Sequence, residues 1–153
     1  AEARTAAEAD PSLIATRFIN GSVLAFAGRF DEAIRELQEA NTQVPDVPTV
    51  LGALGYSQAR AGKRADAEAT RRKILSGRER PGYHAGLAKI ALGLGEIDVA
   101  LTHLEQARLA HDGVFSSEPL LAQMFDGART SAGFRELVVK LGLDPVRLTA
   151  LTR

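Results

Sequence analysis

Gly21 recurs as Gly55, Gly28 as Gly62, Ala33 as Ala67 and Pro11 as Pro45, each pair 34 residues apart. A shift of 33 then aligns Gly62 with Gly95, Ala67 with Ala100 and Ile74 with Ala107. In a chain with 14 glycines one coincidence means little. Matches that keep a constant offset and fall at the same points of successive units define a repeat. A unit of this length buries its apolar face only against its neighbours, so the period demands a stacked array.

Each unit reads as two helices. In "DPSLIATRFINGSVLAFAG", Asp10 is placed to cap a helix that starts with Pro11 and runs to Gly28. Glycine there suits the left-handed conformation that ends a helix. Asp31 then opens a second helix, in which Ala33, Ile34, Leu37 and Ala40 recur at three- and four-residue spacing. "PTVLGALGYSQARAGKRADAEATRRKIL" repeats this plan, and "GYHAGLAKIALGLGEIDVALTHLEQARLA" follows with Leu87, Ala88, Ala100, Leu101, Leu104 and Ala107 as its dry face. Gly21, Gly55 and Ala88 lie mid-way along the leading helices, and Ala33, Ala67 and Ala100 early in the second ones. Small side chains at these points let paired helices approach closely.

Gly21, Gly28, Ala33, Ala40 and Pro45, then Gly55, Gly62 and Ala67, then Ala88, Gly95, Ala100 and Ala107, resemble the signature of the tetratricopeptide repeat (TPR). Ile74 and Glu79 depart from it, standing where the family has Ala and Pro, and Arg17 and Asn20 stand where it prefers large apolar residues. A pairing of Arg17 with Glu8 is one way to accommodate the first of these. The resemblance implies an all-α, right-handed α–α superhelix of antiparallel helix pairs. Residues 1–111 form the array: a partial repeat at 1–10, then repeats at 14–47, 48–80 and 81–111. Residues 1–9 read as the second helix of an earlier unit, so the array is expected to continue upstream. Residues 112–153 make a helical cap, with helices expected around Pro119–Met124 and from Ser131 to Leu141, and a last turn from Asp144 and Pro145. Phe125, Asp126, Arg129, Phe134, Leu137, Gly142 and Leu143 resemble a tail that follows such arrays in bacterial signalling proteins, among them adenylate cyclases, winged-helix regulators and kinases.

Little in the composition points to catalysis. Nineteen basic and nineteen acidic residues cancel, so no global field attracts nucleic acid or anionic lipid. The absence of cysteine removes disulfides, thiolate metal sites and a cysteine nucleophile. No apolar run is long enough to span a bilayer. Asp31, Glu32, Glu36 and Glu39 form a charged helical stripe, and solvated carboxylates make poor general acids or bases at neutral pH. His84, His103 and His111 lack the spacing of a zinc site and read as surface or packing residues. "GLGEID" and "GKR" fail as phosphate-binding loops and read as turns. The basic stretch "RRKILSGRER" reads first as a solvated face, then as a contact for an acidic protein, and last as a nucleic-acid contact.

The resemblance therefore implies a non-catalytic protein-interaction module with no cofactor and no metal, either acting on separate partners or regulating a signalling enzyme or transcription regulator within its own chain. Its ligand is a protein or peptide. A homo-oligomer stays open, while nucleic acid and a membrane are not expected, and the compartment implied is the cytoplasm, with the periplasm as the other option. The concave groove is expected to present Phe18, Ser22, Tyr56, Arg60 and Lys89, with Phe18 and Tyr56 as apolar anchors and Arg60 and Lys89 for polar or acidic groups. Phe18 and Ser22 stand where one subfamily places the Lys and Asn of a carboxylate clamp, so no such clamp is expected.

Overall fold

A computed structural model describes residues 11–111 and 124–140, with side chains from residue 13 onward. Among these residues there are seven helices and no strand: α1 (Pro11–Phe26), α2 (Phe30–Gln43), α3 (Pro48–Arg60), α4 (Arg64–Ser76), α5 (Tyr83–Leu94), α6 (Ile97–Leu109) and α7 (Ala132–Lys140). Asp10, Glu8, the partial repeat at 1–10, the stretch from Pro119 up to Met124, and the Asp144–Pro145 turn lie outside the described residues.

The repeat is legible in the backbone. Gly28, Gly62 and Gly95 take left-handed φ values of 74°, 77° and 78°. Their N–H groups bond the carbonyls of Ala25, Ala59 and Leu92 at 3.0–3.1 Å, three residues back. The next N–H groups, of Arg29, Lys63 and Glu96, reach Leu24, Gln58 and Ala91 at 2.8–2.9 Å, five residues back. This pair of bonds is the Schellman arrangement, which satisfies carbonyls that a helix end leaves exposed. Arg29, Lys63 and Glu96 also share nearly one conformation, with φ of −88°, −87° and −87°. Their carbonyls accept the first bonds of the following helices, from Ala33, Ala67 and Ala100. One residue thus ends the turn and begins the next helix, so α2 starts at Phe30 rather than at the expected Asp31.

Glycine and alanine set the distances between helices. A Cβ on Gly21 would lie 2.6 Å from Leu37 Cγ of α2, and one on Gly55 would lie 2.6 Å from Ile90 Cγ1 of α5. Ala33, Ala67 and Ala100 are fully buried in the hairpins α1–α2, α3–α4 and α5–α6. Gly52 of α3 and Gly86 of α5 bring two backbones together: a Cβ on Gly52 would sit 2.5 Å from Gly86 Cα. The α3–α5 packing is the most extensive between any two helices. Few polar side chains enter this core, and they find partners. Thr70 Oγ1 donates to Gln58 Oε1 at 2.7 Å, and Ser57 Oγ to the Ala53 carbonyl at 2.9 Å.

Charged side chains fasten the outside. Lys63 pairs with Asp31 at 2.7 Å and Arg64 with Glu96 at 3.2 Å, each tie joining one hairpin to the next. Arg71 of α4 bridges Glu68 on its own helix and Glu96 at the head of α6. Arg17 pairs across its own hairpin with Glu36 at 3.1 Å, and the Glu8 considered as its partner lies outside the described residues. The Glu36 pairing follows from α1 and α2 lying side by side, which brings residues 19 positions apart into reach.

Past the last hairpin, Met124, Phe125 and Ala128 are buried and α7 packs on α6. Ser131 stands before α7 and its hydroxyl accepts the Phe134 N–H at 3.2 Å, the usual role of an N-cap serine. Phe125 and Phe134 rings meet at 5.0 Å, and with Leu137 and Val138 they extend the core that begins at Ala25.

Candidate functional site

At the turn-side end of the leading helices opens a cavity of about 500 Å³. Its walls come from the ends of α1, α3 and α5 and the starts of α2 and α6, with Phe26, Phe30, Tyr56, Arg60, Leu92 and Ile97 prominent. Met124, Asp126 and Gly127 close one side. Local sequence explains the position. The Schellman turns reverse the chain within two residues, so Phe30 comes to stand beside Tyr56 and Arg60. Gly93 allows α5 to lie against α3, since a Cβ there would be 3.0 Å from both the Ala59 Cβ and the Tyr56 carbonyl.

Phe30 and Tyr56 meet edge to face at 6.4 Å, and the Arg60 guanidinium stands 5.6 Å from the centre of the Phe30 ring. Both contacts use the negative face or positive edge of the aromatic ring. Burial raises the Tyr56 phenol above its ordinary value, with Asp126 adding to that shift and Arg60 opposing it. Arg60 itself is exposed. The site thus joins an apolar, aromatic floor to one accessible cation.

The five residues expected to face a ligand divide into three groups. Tyr56 and Arg60 line the open cavity. Ser22 and Lys89 share with Tyr56 a much tighter space of about 10 Å³, which Met124 also lines. Tyr56 and Lys89 are only 7% and 5% exposed, so little of either is open to a ligand from that side. Phe18 lines neither space and packs, half-buried, against the core. Phe30, Ile97 and Met124 were not foreseen. Phe30 carried a usable signal, because an aromatic two residues after a helix-ending glycine sits at the mouth between two helices. Met124 carried none, since its position depends on how the tail folds back.

The residues weighed for chemistry are distributed as follows. Asp31 and Glu39 are exposed, while Glu32 and Glu36 are partly covered by Arg29 and Arg17. His111 is exposed at the end of α6. His84 and His103, far apart in sequence, meet with their Nδ1 atoms 3.2 Å apart. The Glu79 carboxylate lies 2.6 Å from His84 Nε2 and accepts its proton there. The network then assigns His84 Nδ1 as acceptor and His103 Nδ1–H as donor. Burial, then His84 and Arg71, hold His103 below the ordinary imidazole value. The ring centres are 5.5 Å apart, which places the two nitrogens nearly head-on, as in a hydrogen bond. Among the described residues no group of three or more His, Cys, Asp or Glu is arranged to hold a metal ion. No described helix is long and apolar enough to cross a membrane.

Comparison with known proteins adds no relative: no family model matches the chain, and neither a curated protein nor a solved structure does.

Proposed function

We propose that this chain is a tetratricopeptide-type, non-catalytic recognition module, wound as a right-handed superhelix, that docks a peptide or partner domain at the Phe30–Tyr56–Arg60 cavity. The observation that carries the reading is the combination of volume and lining. A space of about 500 Å³ with an aromatic floor and an exposed arginine at its rim has the character of a protein hot spot. Three hairpins with matching turns supply a rigid frame, so docking would order little backbone. The ligand would place an apolar side chain on Phe30 and Tyr56 and a hydrogen-bond acceptor on Arg60. Cytoplasmic signalling is the setting proposed for this activity.

A second reading, regulation within a longer signalling polypeptide, is favoured by one fact. Met124 of the same chain lines the narrow space shared by Ser22, Tyr56 and Lys89, so a later segment of this polypeptide already packs beside that part of the face.

Selection of peptides from a displayed random library, followed by titration calorimetry, tests the proposal. Arg60→Ala, an exposed substitution, should weaken the selected peptides by about tenfold or more, while Arg35→Ala on the outside of α2 should leave them unchanged. Equal affinity in wild type and Arg60→Ala would move the docking site off this cavity.

A further inference from the structure

The strongest feature outside that cavity lies at the opposite end of α3. There a cleft of about 550 Å³ is lined by Lys73, Ile74, Ser76, Gly77, Arg78 and Arg80, with Glu79, Asp46 and Pro48 at its edge. Its cations are unusually free. Arg71, the nearest arginine along α4, is committed to Glu68 and Glu96. Lys73 and Arg78 have no carboxylate partner among the described residues. Arg80 donates to the backbone carbonyl of Asp46, so its guanidinium is held in place without its charge being neutralised. Nor do the end carbonyls of α4 offset these charges fully. The Ser76 hydroxyl donates to the Lys73 carbonyl at 3.0 Å, and the Gly77 N–H to that of Ile74 at 3.1 Å.

One acid could cancel the cleft from within. Glu79 is the sole carboxylate in the run from Arg71 to Arg80, and its neighbours in sequence are Arg78 and Arg80. The structure turns it elsewhere: its Oε1 accepts from His84 Nε2, and His84 is in turn held by His103. The two-histidine chain therefore works as a tether that draws Glu79 toward α5.

From this juxtaposition of three uncancelled cations and a tethered carboxylate, we infer that the cleft between the end of α4 and the 77–82 loop is a docking site for an acidic peptide segment, with Glu79 as a competing internal anion held back by His84. Charge complementarity names the partner. A nucleic acid fits less well. The cleft offers no aromatic ring for a base to stack on, which single-stranded nucleic acid uses and an acidic peptide does not need. The site is independent of the Arg60 cavity, so either can fail without the other.

The test is fluorescence anisotropy of a labelled oligo-glutamate with the full chain, beginning at about 20 mM salt and rising to about 300 mM. Binding should weaken as salt rises. Lys73→Glu with Arg78→Glu, both exposed, should weaken it by about tenfold or more at low salt, with circular dichroism checking the fold. Glu79→Gln should tighten binding. His84→Ala should weaken it by freeing Glu79, and His84→Ala with Glu79→Gln should restore it. Absence of binding at low salt, or indifference to the double charge reversal, would overturn the proposal. Tighter binding of an oligothymidylate of equal charge would reassign the cleft to nucleic acid. Equal affinities for wild type and Glu79→Gln would remove Glu79 from the account.

Discussion

Gly86 and Gly62 show how one residue type serves two physical ends. At Gly86 a Cβ would fall 2.4 Å from the Pro48 carbonyl oxygen, and backbone cannot move aside as a flexible side chain can. Gly86→Ala should therefore destabilise the protein by about 3 kcal/mol, at the upper end of the usual overpacking cost. At Gly62 nothing lies within 4 Å, but φ is +77°. Gly62→Ala should cost only about 1–2 kcal/mol, the left-handed strain of an L-residue. Urea denaturation of both variants checks the order. A smaller loss in Gly86→Ala than in Gly62→Ala would mean that the α3–α5 contact yields more easily than its geometry implies. The two roles differ in how well the sequence announces them. Gly62 recurs at the repeat interval and precedes a new helix, whereas Gly86 looks like any helical glycine until α3 is laid against it.

Between elements, the clearest electrostatic joint is that of α6 with α7. Glu105 accepts from Arg108 on its own helix at 2.9 Å and pairs with Lys140 of α7 at 3.4 Å. The Arg108 hydrogen bond, with Lys140 assisting, lowers the Glu105 carboxyl to about 2. A depressed folded-state value means that the joint contributes fully above the unfolded value, near 4.5, and fades as pH falls from there toward about 2. Amide exchange in α7 should accelerate over that window relative to α3. Lys140→Ala should shrink the difference. Unchanged relative protection of α7 from pH 5 down to about 2.5 would show that apolar packing alone seats it. Arg108, three residues along, is foreseeable as a helical partner of Glu105. Lys140 is not, because 35 residues separate it from Glu105 and only the docking of α7 joins them.

For the molecule as a whole, the decisive fact is a core that runs without a break from Ala25 and Leu37 through Tyr56 and Leu104 to Phe134 and Val138. A continuous core couples the hairpins to the tail. Phe134→Ala should cost about 3–5 kcal/mol, and it should lower the midpoint reported by the fluorescence of Tyr56 and Tyr83 as much as the midpoint reported by helix content. Separate midpoints would show that the tail is an independent unit. This coupling also explains why the candidate site differs from its sequence forecast. The expected groove residues all stand on the leading helices, yet Met124 lines a narrow space with Ser22, Tyr56 and Lys89, and the open space lies toward Phe30 and Arg60.

The sequence by itself determined the helices, their turns and their dry faces. Those features depend on interactions within about five residues: a glycine free to take positive φ, alanines and leucines at helical spacing, a serine before α7. Tertiary structure alone decided which distant side chains meet. His84 with His103, Arg17 with Glu36 and Lys140 with Glu105 all depend on the angle and depth at which one helix seats against another. That depth comes from the summed packing of many small contacts, none of which leaves its own mark on the local pattern of residues.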